Sequence, residues 1–142
     1  MTNVELVTKK LATITEHLRR LRERRPDDVV ALRRDPLLQD AIAMGLLVAV
    51  QECMDIALHI ASDEGWELAS TYRDAFTVLA RRGVIDDAVS ASLGNVAQLR
   101  NRIAHGYATL DIDRIWEELP SGISAFERFA SAIAKFLTTV SV

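Results

Sequence analysis

The chain is poor in the residues that brace exported or sheet-rich folds. Its 142 residues include one cysteine, three prolines and six glycines, and aromatics make up 6 %. A lone cysteine, Cys53, excludes an internal disulfide, so the fold needs no oxidising compartment. Cys53 sits in an apolar run and reads as a small buried hydrophobe rather than a nucleophile. Few aromatics, glycines and prolines favour helix over sheet. No apolar leader follows Met1. The most apolar run, Ala41 to Val50, is about half the length of a membrane span. Together these absences point to a cytoplasmic protein with no membrane association.

Positive charge is also scarce. The net charge is −3 and the pI is near 5.6. A protein that held RNA by bulk electrostatics would be basic, so any nucleic acid must meet a local cationic site. One candidate is the run Arg19, Arg20, Arg22, Arg24 and Arg25, continued by Arg33 and Arg34. The same composition suits a solvated helix end, where cations complement the backbone dipole, and we favour that reading.

What is present is apolar periodicity. Apolar residues make up 49 % of the chain and charged residues 26 %, as in an ordinary folded domain. The whole of 1–142 reads as one domain. Val4, Val7, Leu11, Ile14, Leu18 and Leu21 recur in steps of three and four. That spacing predicts a helix from about Val4 to Arg25, capped by Thr2 or Asn3 and stopped by Pro26. Its narrow stripe fits a bundle or a helix-paired homodimer, for which it offers a surface.

Asp35-Pro36 reads as a cap followed by a first-turn proline, opening a helix that runs to about Asp63. Ile42 through Ile60 is apolar on more than one face, which marks the most buried helix. Gly45 within it marks a close helix crossing. Further helices are expected from Ser70 or Thr71 to Arg82, closed by Gly83, and from Asp86 or Asp87 to a stop at Gly106. A short helix then starts at Asp111 or Asp113, passes through Trp116 and Leu119, and stops at Pro120. The last runs from about Gly122 to Thr138. With no strand pattern in competition, the fold expected is an all-α bundle of five or six helices.

Chemistry concentrates in Arg100-Asn101-Arg102-Ile103-Ala104-His105-Gly106-Tyr107. A guanidinium grips a phosphate with a planar fork, and imidazole moves protons near neutral pH. Arg100 and His105 can therefore bind a phosphodiester and transfer its protons, with Asn101 orienting and Arg102 adding charge. Cleaving RNA without metal requires deprotonation of a 2′-OH, stabilisation of the phosphorane and protonation of the leaving oxygen. One chain offers a single histidine here, so two facing copies would supply both acid and base. The spacing alone leaves other readings open: a non-catalytic helical nucleotide-binding or regulatory module, or an interhelical hydrogen-bond cluster.

Asp55, His59 and Asp63 fall at steps of four on one helix face. A metal site is one reading, and a structural or site-lining role is the favoured one. His17, among charged residues, reads as exposed.

The motif and its surroundings resemble a known family. Tyr72-Arg73-Asp74-Ala75-Phe76, Leu79, Gly83-Val84-Ile85, the Arg100–Tyr107 stretch, Asp111 and Trp116 together resemble the HepT-like toxins of the HEPN superfamily. The likeness runs from about Asp35 to the C-terminus. It implies an all-α, homodimeric endoribonuclease that needs no metal or cofactor and acts as the toxin of a type VII-like toxin–antitoxin pair. The antitoxin partner it implies is a small nucleotidyltransferase. By position the resemblance makes Arg100 and His105 the catalytic pair and Asn101 the polar residue beside them. It makes Tyr107 the tyrosine that receives AMP and so silences the enzyme. It also places Asp55 and His59 at the border of the cleft.

Overall fold

The computed structural model describes residues 1–105 and 111–140. Its helices are α1 (Val4–Arg24), α2 (Val29–Arg33), α3 (Pro36–Asp63), α4 (Tyr72–Arg81), α5 (Asp87–His105) and α6 (Ile112–Val140). No strand occurs among the described residues.

Helix boundaries follow local chemistry. The Asn3 side chain accepts from Leu6 N, Asp35 from Leu38 N, Thr71 from Asp74 N and Asp86 from Val89 N, each satisfying an amide that the first turn leaves unpaired. Arg25 precedes Pro26 and takes ψ 117°, because the proline ring excludes the helical region for its predecessor. Gly83 adopts φ +74°. Its amide returns to Ala80 O and that of Val84 to Leu79 O, a Schellman closure that favours glycine.

α3 is the hub and packs against every other helix. Ile42, Leu46, Val50, Met54, Ile56 and Ile60 on it are all at most 2 % exposed. By length and composition α3 is apolar enough to cross a membrane, so its apolar run is longer than the ten residues from Ala41 to Val50 suggest. Some 56 % of its most apolar stretch is buried in the bundle, as expected of a central helix. Cys53 is fully buried there, and burial pushes its thiol well above the usual range.

α1 lays its apolar stripe on α3 and α6. Val7, Ile14, Leu18 and Leu21 are buried, with Val4 and Leu11 packed beside them. The stripe is therefore consumed inside the chain, as in a bundle, and is not left as a homodimer surface, the other use its spacing allowed. The crossing of α1 on α3 is close: a Cβ at Gly45 would come within 2.8 Å of Leu21 Cδ2. Gly45→Val should therefore destabilise the fold by about 1–3 kcal/mol, read as a lower urea midpoint at unchanged slope. An unchanged midpoint would deny the close crossing.

Two helix expectations need correcting. The segment after Pro26 holds a short helix, α2, that the apolar pattern did not reveal; Asp28 caps it and Leu32 anchors it in the core. Nor does Pro120 separate two helices: α6 runs through it. Pro120 itself is exposed, while Leu119, Gly122 and Ile123 on either side are buried. Packing on both flanks outweighs the lost amide donor.

His17 is half-buried rather than exposed. Burial first, then Arg20, holds its pKa below the ordinary value, against an opposite pull from Glu16 and Glu52. The unfolded chain takes up this proton at a higher pH than the folded one does. Stability from this group is thus full above about pH 6.5 and is lost as pH falls toward the folded value. His17→Gln should flatten the decline in thermal midpoint on acidification from neutrality. An unaltered slope would assign the decline to other groups.

Candidate active site

Arg100 lies on the buried-to-exposed edge of α5, and its guanidinium is held from three directions. One terminal nitrogen, Nη2, donates to Gln51 Oε1 at 3.3 Å, and the other, Nη1, to Asn101 Oδ1 at 3.1 Å. Its central carbon sits 5.5 Å from the centre of the Tyr72 ring, within cation–π range. These contacts fix an otherwise flexible side chain. A guanidinium has five N–H donors, and among the described residues the two bonds formed leave one hydrogen on each terminal nitrogen for a ligand. Nε is buried without a partner, a cost of about 1–3 kcal/mol of the kind that gathers at functional sites.

Behind Arg100 runs a polar chain that crosses three helices. Gln51 Nε2 donates to Asp55 Oδ1 at 3.3 Å. The other Asp55 oxygen and Glu52 Oε2 each lie 3.4 Å from Lys10 Nζ on α1. An ionised carboxylate can only accept, so Asp55 draws the amide NH2 of Gln51 toward itself and turns the carbonyl toward Arg100. Asp55 thus supports the Arg100 guanidinium through Gln51. Asp63 is engaged elsewhere, accepting from Asn3 N at 2.9 Å. Among the described residues no group of three or more His, Cys, Asp or Glu is arranged to hold a metal.

The motif residues are not all brought together within one chain. Asn101 touches Arg100, whereas Arg102 and His105 are exposed. No hydrogen bond joins either of them to Arg100 among the described residues. His105 is the last described residue of α5. Five residues on a regular helix rotate about 140°, so its imidazole and the Arg100 guanidinium leave the axis in different directions. His59 is half-buried on α3 and is not bonded to Arg100. Gly106, expected to end the helix, and Tyr107 lie outside the described residues.

Sequence reasoning missed Gln51, Tyr72 as the partner of Arg100, and Lys10. Only the step of four from Gln51 to Asp55 hinted at the first. The arginine-rich run is largely paired. Arg19 bonds Glu16 and Glu23, Arg20 bonds Glu16, Arg22 bonds Glu127 and Arg33 bonds Asp113. Arg25 covers the Trp116 ring at 5.3 Å. The hydrogen bond from Arg19, first among the causes, holds Glu16 at about 2. That face is a solvated ion-pair lattice, in keeping with the reading favoured from sequence.

One outer face of α3 remains apolar. Leu37, Met44 and Leu58 are 82 %, 55 % and 40 % exposed, spaced seven apart with Gln51 in register between the last two. The stripe therefore passes directly by the residue that holds Arg100.

The family described as ribonuclease HepT-like matches residues 14–133. The chain is 29 % identical over 129 residues to the mRNA nuclease HepT of Shewanella oneidensis, covering 91 % of this chain and 96 % of that protein. It superposes on a tri-AMPylated HEPN toxin of Shewanella oneidensis, solved in complex with its MNT antitoxin, with a TM-score of 0.84 and 28 % identity. That match covers 95 % of this chain and 99 % of the other. The fold also matches YutE of Bacillus subtilis, a cytosolic protein of unknown function. There the TM-score is 0.86 and the identity 14 %, over 97 % of this chain and 92 % of that one.

Proposed function

This chain belongs to the HepT-like ribonuclease family of HEPN proteins, and from that premise we infer that it is an endoribonuclease acting as the toxin of a toxin–antitoxin pair in the cytoplasm. The observation that carries this reading is the Arg100 guanidinium fixed by Gln51, Asn101 and Tyr72, with one hydrogen on each terminal nitrogen not bonded to any described residue.

In the proposed reaction the 2′-oxygen of RNA attacks the adjacent phosphorus, and the bond to the 5′-oxygen breaks. His105 of one subunit takes the 2′-proton. His105 of the other protonates the 5′-oxygen. Arg100 holds the phosphorane charge, with Arg102 adding positive potential and Asn101 orienting the guanidinium. The products are a 2′,3′-cyclic phosphate and a 5′-hydroxyl. A homodimer joined along the exposed α3 stripe brings two copies of the motif face to face. The 140° divergence of Arg100 and His105 within one chain supports this arrangement, because one copy does not aim both groups at a single phosphate.

The proposed partner is a nucleotidyltransferase antitoxin, as in the Shewanella complex. The Tyr107 phenol attacks the α-phosphorus of ATP and pyrophosphate leaves. The attached AMP adds bulk and negative charge beside the arginines and competes with RNA.

Two measurements on the purified protein test the proposal. Short RNA incubated with excess chelator should yield cyclic-phosphate ends. Intact mass after co-expression with the cognate nucleotidyltransferase should rise by whole adenylate units, and Tyr107→Phe should abolish the rise. Nucleotide binding without RNA turnover would favour the regulatory module instead.

A further inference from the structure

Beside Arg100 lies a groove of about 600 Å³ between α5 and the start of α4, lined among others by Leu58, Tyr72, Arg73, Ala97, Gln98 and Asn101. Its size falls within the usual range for small-ligand sites. Two of its walls, Tyr72 and Asn101, are the residues that hold the Arg100 guanidinium. The groove thus lies within reach of a nucleotide next to a phosphate gripped by Arg100.

The lining has the chemistry of base recognition. Leu58 and Ala97 contribute apolar surface. Tyr72 supplies an aromatic ring and Arg73 a planar cation, the two kinds of flat surface on which splayed RNA bases stack. Gly94 leaves room for that cation: a Cβ there would come within 2.8 Å of Arg73 Nη1. Gln98 and Asn101 stand one helical turn apart on α5 and both border the groove. The Asn101 carbonyl oxygen is taken by Arg100, which leaves its NH2 group. The Gln98 amide makes no hydrogen bond to other described residues, so it keeps a donor and an acceptor side by side. That pairing matches the N6 and N7 edge of adenine.

We propose that this groove is a specificity pocket that receives the base adjoining the scissile phosphate, and that Gln98 reads its edge in favour of adenine. The proposal rests on the ribonuclease reading, so the test separates the two.

RNA oligomers made uncleavable by a 2′-deoxy residue at the scissile position report binding alone, by fluorescence anisotropy. Adenine, cytosine or an abasic site is placed on either side of that phosphate in turn. The wild type should bind the adenine form at least about fivefold more tightly than the cytosine form at one flank, the size of discrimination an amide contact supplies, and more tightly again than the abasic form, which lacks the stacked ring. Gln98→Ala should remove most of the preference for adenine over cytosine. Gln98→Glu, which accepts but does not donate, should move it toward cytosine. Gln98 is exposed, and circular dichroism verifies that both variants fold. Equal affinity for adenine and abasic RNA at both flanks, or a preference untouched in both variants, overturns the pocket. A wild type that cleaves natural RNA but shows no such preference loses the pocket and keeps the ribonuclease. One that prefers adenine yet cleaves no RNA keeps the pocket and loses the ribonuclease.

Discussion

Replacing His105 by alanine is expected to lower RNA cleavage by about 10²–10⁴-fold and to leave the helical spectrum and melting midpoint unchanged. The stability expectation follows from placement: His105 is the last described residue of α5 and is exposed, so the core loses nothing. The size of the activity loss follows from the role proposed for it, the proton carrier of each subunit. A sharper version uses mixed dimers. If both imidazoles act on one phosphate, mixing wild-type and His105→Ala subunits should reduce activity as the square of the wild-type fraction. A linear response would mean that each subunit works alone. Full cleavage by the variant would remove His105 from the mechanism.

If the proposed homodimer forms along α3, Met44→Glu should split it and bring cleavage down to background. Met44 is half-exposed in the middle of the α3 stripe, flanked by Leu37 and Leu58 seven or fourteen residues away. Burying a carboxylate there against a second copy costs far more than an apolar contact gives. In a lone subunit the same glutamate stays in water and should cost little. Light scattering should report the halved mass, and the same sample should be inactive. A variant that remains dimeric would move the interface off α3. A monomer that cleaves at the wild-type rate would show that the site is complete in one chain.

How legible the fold was depended on whether local signals and packing agreed. Val89, Leu93, Val96, Leu99 and Ile103 are all buried on α5, as helical spacing requires, because nothing local opposed them. Asp35-Pro36 and Thr71 open helices as caps should. Pro120 misled because its local cost is real, yet Leu119 and Ile123 anchor both sides of it. α2 escaped notice because five residues show too little periodicity. The α1 stripe was read correctly as buried surface, but sequence does not say whether its cover comes from the same chain or another.

The site was half legible. Arg100 and Asn101 stood out as residue types capable of phosphate chemistry. Gln51 and Tyr72 did not, because an amide and a phenol acquire meaning only once α3 and α4 are folded against α5. Lys10 is farther still, ninety residues before Arg100 in sequence, and joins it only through side chains of α3. Asp55 and His59 looked equivalent by spacing. The direction of the Gln51 amide links the first to Arg100 and leaves the second apart.

The sealed position of Cys53 has a practical corollary. Its thiol is the only one in the chain and is kept protonated and out of reach, so it competes poorly for alkylating reagents. A cysteine engineered at any surface position becomes, in effect, a unique chemical handle. Dyes or crosslinkers can then be attached to the native background without first removing a wild-type sulfur.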